Sequence, residues 1–182
     1  MAYIDLLTSI GRKSHSDPFL DNKERIKEAV NDAISELSQA AAPGDIQMLI
    51  SDKTGTITGG VLELDDNFES ILRIKSTISQ GTPIRFALVD YDKWQMLGVI
   101  SEEDPPENTI YYTISGSNLL FYKDTAAGGL VISVTYLTAP DATNWDNNKE
   151  LIGTGNFTTR FLVAVKNRAV QILKLDDEGE MK

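Results

Sequence analysis

Asp52 is the residue whose setting first suggests chemistry. It follows the apolar run in IQMLIS and opens the string DKTGTITGG. An aspartate presented at the end of a strand can attack phosphorus and hold the phosphoryl group as an acyl phosphate. That chemistry needs company: further carboxylates to hold Mg²⁺, and a Lys or Arg for the phosphoryl oxygens. The acidic pairs of the chain are Asp65-Asp66, Glu102-Glu103 and Asp176-Asp177. None of them follows an apolar strand and opens a helix, which is where such a site needs its second acidic cluster.

The letters Asp52-Lys53-Thr54-Gly55-Thr56-Ile57-Thr58 resemble the phosphorylation motif of the P-type ion-pumping ATPases. That resemblance implies Asp52 as the acceptor of a Mg-dependent aspartyl-phosphate phosphatase. The chain departs from the pattern in two ways. The downstream Gly-Asp-Gly-type motif is missing. Thr54 also stands where small soluble phosphatases of the same superfamily carry a second aspartate. A turn explains the same letters with fewer requirements: IQMLIS as strand, DKTG as turn with Gly55 at positive φ, and TITGGVLEL as the returning strand. The turn is the expectation taken forward.

Other groups offer less. GTGNF, residues 153–157, precedes an expected helix and has the form of an anion-binding turn. The motif is too short to be specific, and helix capping by Asn156 or Thr158 is the reading taken forward. Trp94, Tyr111, Tyr112, Phe121, Tyr122 and Trp145 are either an aromatic carbohydrate platform or core and cross-strand pairs. Glu102, Glu103 and Asp104 read as a solvated loop, with a calcium loop as the competing reading. His15 is the one histidine and cannot build a multi-histidine metal site. Without cysteine there are no disulfides, thiolate ligands or thiol nucleophiles. No cofactor, metal or enzymatic activity is expected.

The elements that would position these residues fall into three blocks. Ile4, Leu6, Leu7 and Ile10 suggest a short helix ending near Gly11. Asp21 and Glu24 have the spacing of a capping box. After them Ile26, Ala29, Val30, Ala33, Ile34 and Leu37 mark an amphipathic helix that Pro43-Gly44 stops. From about residue 45 to 137 the period becomes two, as in Leu72, Ile74 and Ile78, or Ile84, Phe86 and Leu88. Ser115 to Asn118 forms a tight hairpin, and DYDKWQML a single helical turn. Phe161, Leu162, Val165, Ala169, Ile172 and Leu173 then supply the stripe of a last helix.

The fold class is therefore α+β: N-terminal helices and a C-terminal helix packed together, with a central antiparallel β-sheet or small β-sandwich. The expected divisions are a helical region at 1–44, a β domain at 45–140, a loop at 141–156, the last helix at 157–175 and a mobile acidic tail at 176–182. With 182 residues and 41% hydrophobic content there is material for a real core. A net charge of −10 argues against broad binding to a phosphate backbone. No apolar run approaches the roughly 20 residues that span a bilayer, and no basic stretch precedes an apolar one as in a secretory leader.

FESILRIK (68–75) and DPPENTIYYTISGSNLLFYKDTAAGGLVISVTYLTAPD (104–141), followed by an Asn-rich acidic loop and an amphipathic helix, resemble the head–tail adaptor (connector) proteins of tailed bacteriophages. The likeness spans residues 20–175 in order of elements. It implies a structural virion protein at the head–tail junction, made in the bacterial host cytoplasm. It implies a ring, usually twelve-membered, beneath the portal protein, with tail or nozzle proteins docked below. Double-stranded DNA would pass through without sequence-specific binding, and no membrane is involved. The portal and ring contacts are expected from Arg160, Lys166, Arg168 and Lys174 on the polar side of the last helix, with Asp176 and Asp177 in the tail. A β-sandwich module for carbohydrate, or one associated with a fibre, is the alternative from another class.

Overall fold

The computed structural model describes residues 1–14, 23–76, 83–97, 106–122 and 129–180. In chain order the elements are α1 (Tyr3–Ser14), α2 (Lys23–Ser38), β1 (Ile50–Thr56), β2 (Val61–Glu63), β3 (Phe68–Ser76), β4 (Arg85–Leu88), α3 (Tyr91–Leu97), β5 (Thr109–Ser115), β6 (Asn118–Phe121), β7 (Val131–Thr138) and α4 (Thr159–Glu180). Short 3₁₀ turns cover Pro43–Asp45, Gln47–Leu49 and Ala142–Asn144. The chain divides into two compact units: residues 1–50 with 139–182, and residues 51–138. The class is α+β, with the N-terminal helices and the last helix packed together.

The helical unit forms because three apolar stripes need covering. α1 buries Tyr3, Leu6, Leu7 and Ile10, one face at three- and four-residue steps. α2 buries Ile26, Ala29, Val30, Ala33 and Ile34. α4 buries Phe161, Leu162, Val165, Ala169 and Leu173 and packs on both α1 and α2. Gly11 does not end α1. It is buried inside the helix, which runs on to Ser14, whose hydroxyl donates to the Ile10 carbonyl at 3.0 Å. Pro43-Gly44 does not merely stop α2 but opens a 3₁₀ turn with Pro at its first position. The Asp21 half of the expected capping box lies outside the described residues, as does His15.

The polar stretch after β7 is not a free loop. The Ala142 amide donates to Asn31 Oδ1 at 2.9 Å, and Lys27 Nζ donates to the Thr143 carbonyl at 3.0 Å. The amides of Tyr3 and Ile4 donate to the carbonyls of Lys149 and Asn147, both at 2.9 Å. The Trp145 ring meets Tyr3 edge-on at 5.4 Å and tilts against Phe157 at 6.0 Å. Tyr3 itself is fully buried, and its hydroxyl has no partner among the described residues. Burial, with Glu24 nearby, pushes its ionisation well above the ordinary tyrosine range. A buried hydroxyl without a partner carries a desolvation penalty of about 1–3 kcal/mol. Tyr3→Phe should therefore leave stability unchanged or raise it by about 1 kcal/mol. Urea denaturation checks this, and a loss above that size would show an unseen partner.

The insert is a small β-sandwich. One sheet has the order β1-β7-β3 and the other β2-β6-β5-β4. β3–β7, β2–β6 and β5–β6 are antiparallel, while β4–β5 is parallel. The two sheets share one core, with Ile132, Val134 and Tyr136 from the first and Leu62, Ile110, Tyr112, Leu119 and Phe121 from the second. The β5–β6 hairpin turns at Gly116 with φ of 60°, the positive value its first central position requires.

Two expectations for this unit are corrected. Leu72 does not face inward: it is 42% exposed, whereas Phe68, Ile71 and Ile74 pack against the core. Register shifts at Phe68/Ser70 and Ile71/Arg73 are the cause, because each bulge adds a residue and breaks simple alternation. DKTG is also not a turn. It lies inside β1, and the reversal comes later, at Gly59 (φ 58°) and Gly60 (φ 72°), where Thr58 bridges Val61. At Gly55 a Cβ would come within 2.7 Å of Leu62 Cδ1, so the Leu62 side chain would have to shift.

Candidate functional site

α4 carries every residue expected at the interface, and its first turn is set by its neighbours in the helical unit. Thr158 is the N-cap: its Oγ1 accepts the Phe161 amide at 3.3 Å and donates to Asp45 Oδ1 at 2.7 Å. The Thr158 amide in turn donates to the Asp45 carbonyl at 3.1 Å. Arg160 closes the knot by pairing with the Asp45 carboxylate. The hydrogen bond from Thr158, then that from Arg160, holds the Asp45 carboxyl below the usual range. Asp45 therefore favours the folded form while it is ionised, and that contribution fades as pH falls through and below about 4. Thr158→Ala should destabilise the helical unit by about 1–2 kcal/mol. It should also weaken the acid-side fall in stability, read by urea unfolding at pH 7 and pH 3.

Lys166 donates to Ser9 Oγ on α1. Burial, then repulsion from Lys13, lowers its ionisation below the ordinary lysine range. Arg168 Nε donates to Glu36 Oε2 on α2 at 2.7 Å. Asp176 and Asp177 pair with Arg25 of α2, at 3.8 and 2.8 Å. The acidic end is thus not an extended mobile arm over its whole length. α4 continues through both aspartates to Glu180, and Arg25 Nη2 also reaches the Leu173 carbonyl at 3.5 Å. Lys174 is exposed. Five of the six expected interface residues are therefore tied to α1, α2 or the turn before β1. The exposed residues of α4 include Arg160, Val163, Ala164, Asn167, Gln171, Lys174, Leu175 and Asp176.

GTGNF serves the same region. Gly153 and Gly155 have φ of 144° and 79°, and the Gly155 amide donates to Gln47 Oε1 at 3.1 Å. Phe157 is buried and bridges Ile46. The capping residue is Thr158, one of the two expected.

In the insert, Asp52 is exposed, and its Oδ1 accepts from the Thr135 hydroxyl at 2.5 Å. Lys53 pairs with Asp65 at 3.6 Å, and Asp65 also accepts from the Tyr136 hydroxyl at 2.6 Å. Burial, then that hydrogen bond, pushes the Tyr136 hydroxyl up to about 12. Among the described residues no group of three or more His, Cys, Asp or Glu is placed to hold a metal. Glu102, Glu103 and Asp104 lie outside the described residues.

Most of the aromatics are packing. Tyr112 and Phe121 are core, Tyr122 donates to the Leu97 carbonyl, and Trp145, in the polar stretch after β7, packs on Tyr3 of α1. Trp94 stacks on Tyr91 of α3 with planes 10° apart, and Tyr91 is 45% exposed. No helix among the described residues is long and apolar enough to cross a membrane.

No protein-family model matches this chain, and no curated protein matches it.

The residues that sequence reasoning missed are partners. Asp45, Glu36, Arg25 and Ser9 lie between 100 and 160 positions from the side chains they engage. The one available signal was at Asp45, a lone acid beside Pro43-Gly44 ahead of the β block.

Proposed function

We propose that this chain is a head–tail adaptor of a tailed bacteriophage. It is a structural virion protein, without catalytic activity, that forms a ring beneath the portal. The observation that carries this reading is the architecture. A helical unit built from both chain ends, closed by a long C-terminal helix, holds a β-sandwich as an insert between its halves. Such an insert has two attachment points, which suits a subunit that joins two different partners. In this reading the helical unit meets the portal and neighbouring copies, the sandwich meets the tail, and DNA passes without base recognition. The net charge of −10 supports sliding, because an acidic wall offers phosphates few holding points.

Arg160, Arg168, Asp176 and Asp177 pair with residues of the same unit while Arg160 and Asp176 stay exposed, and the proposed contact joins them to the exposed Val163, Asn167 and Lys174 of α4. The test is an antibody against the protein, applied to gradient-purified phage from the source lysate, with copies counted against the portal. About one copy per portal subunit is expected. Absence from particles would overturn the proposal.

A second reading, a carbohydrate-binding module, rests on the Tyr91–Trp94 stack with its exposed tyrosine. Glycan-array binding lost in Tyr91→Ala would favour it over the adaptor.

A further inference from the structure

A cleft of about 490 Å³ opens on one face of α1, lined by Asp5, Thr8, Ser9, Arg12 and Lys13. These positions recur at three- and four-residue steps, so all five point the same way. Lys166 reaches the same place from α4, with its ammonium on Ser9 Oγ. Three cations therefore meet at one spot in a chain that carries 27 acidic residues against 17 basic ones. None of the three pairs with a carboxylate among the described residues, whereas Arg25, Arg160 and Arg168 all do. The acid in the lining is Asp5. It lies seven and eight residues from Arg12 and Lys13, about 10–12 Å along the axis. Its Oδ2 already accepts the Ala2 amide at 3.0 Å.

The hydroxyls differ in a way that matters. Thr8 Oγ1 donates to the Ile4 carbonyl at 2.8 Å, and Ser14 Oγ to that of Ile10 at 3.0 Å. Both protons are spent on the helix. Ser9 instead accepts from Lys166, which leaves its own O–H to donate outward. The cleft thus offers a guanidinium, two ammonium groups and one hydroxyl proton. Among the described residues no carboxylate matches these cations, and Lys13 repels Lys166.

We propose that this cleft binds a phosphate group, held by Arg12, Lys13, Lys166 and the Ser9 hydroxyl. A compact oxyanion with two or more charges satisfies all four donors at once and cancels their repulsion. The repulsion is already felt at Lys166, where Lys13 adds to burial in disfavouring the charged form. The group is carried by a free phosphate or polyphosphate, or by a nucleic-acid backbone. The chain's overall charge favours the first, since a long polyanion would be repelled outside the cleft.

The experiment is calorimetric titration of the full chain with inorganic phosphate and pyrophosphate, and separately with a short DNA duplex, at fixed ionic strength. Saturable binding of the small anions is expected. Arg12→Gln combined with Lys13→Gln should weaken it at least about tenfold. Both side chains are exposed, so the fold should survive, and Lys75→Gln, exposed on β3, is the control that should leave phosphate binding unchanged. Nitrogen NMR of the Lys166 ammonium gives a second readout that needs no substitution there: its titration should move to higher pH as phosphate is added. Duplex binding that Arg12→Gln/Lys13→Gln abolishes would assign the phosphate to a nucleic-acid backbone. No binding of either probe, or binding that the double variant leaves intact, would overturn the proposal.

Discussion

Phe157→Ala should lower the unfolding free energy of the helical unit by about 3–5 kcal/mol. Phe157 is 1% exposed and touches two further rings, Phe161 at 5.1 Å and Trp145 at 6.0 Å between centroids. Its amide donates to the Leu151 carbonyl at 3.0 Å, and its backbone bridges both Ile46 and Ile152. Removing the ring leaves a cavity where the polar stretch after β7, the turn before β1 and the start of α4 meet. Little can collapse into it, because each neighbour is pinned by backbone hydrogen bonds. The measurement is guanidinium unfolding followed by Trp145 fluorescence in a Trp94→Phe background, so that only the helical unit reports. Val163→Ala on the exposed face of α4 is the comparison and should stay within about 0.5 kcal/mol. A Phe157→Ala midpoint indistinguishable from that comparison would mean that the aromatic cluster does not hold the unit together.

Ile57→Ala should have the second-largest effect, a loss of about 2–5 kcal/mol in the insert. Ile57 is fully buried where the chain leaves the β1-β7-β3 sheet for the other. Its amide donates to the Leu130 carbonyl at 3.0 Å, and its own carbonyl accepts from Gly129 at 3.1 Å. The side chain sits in the core shared by both sheets. Asp52→Asn, five residues earlier, should change stability by no more than about 0.5 kcal/mol. Asp52 is exposed, and an amide oxygen can still accept from Thr135. Amide exchange of β5, β6 and β7 reads both variants. The contrast separates the two accounts of this stretch: a structural strand depends on Ile57, whereas a phosphoryl acceptor depends on Asp52. Mg²⁺-dependent phosphatase activity lost in Asp52→Asn would reverse the assignment.

The helical stripes were legible because a period of 3.6 is carried by the stripe residues themselves. Leu6, Leu7 and Ile10 of α1, or Ile26 to Ile34 of α2, are buried where the spacing puts them. The strands were legible as strands but not in register. Leu72 alternates correctly with Ile74 in the sequence, yet two bulges turn it outward and bring Ile71 in. A bulge is set by the partner strand, and the partner of β3 is β7, some sixty residues later. Gly55 looked like a turn glycine because its neighbour in space, Leu62, lies across a corner that local pattern cannot see. The partners of the charged residues of α4 were hidden in the same manner. The type and helical face of these residues were plain, but that they pair with Asp45, Glu36 and Arg25 is decided by how three helices pack.

The pairing of β1 with β7 has a consequence for the order of events in folding. In the unfolded chain, α2 and α4 are joined by a segment on the order of 100 residues, and closing such a loop costs about 4 kcal/mol in entropy. Once the sandwich has formed, its entry and exit lie on neighbouring strands, with Asp52 hydrogen-bonded to Thr135. Most of that separation then disappears, and α4 searches for α1 and α2 through a short effective tether. The insert thus acts as a clasp in time as well as in space. Slowing the closure of β7 against β1 delays the docking of α4, the step with the greatest sequence separation in the molecule.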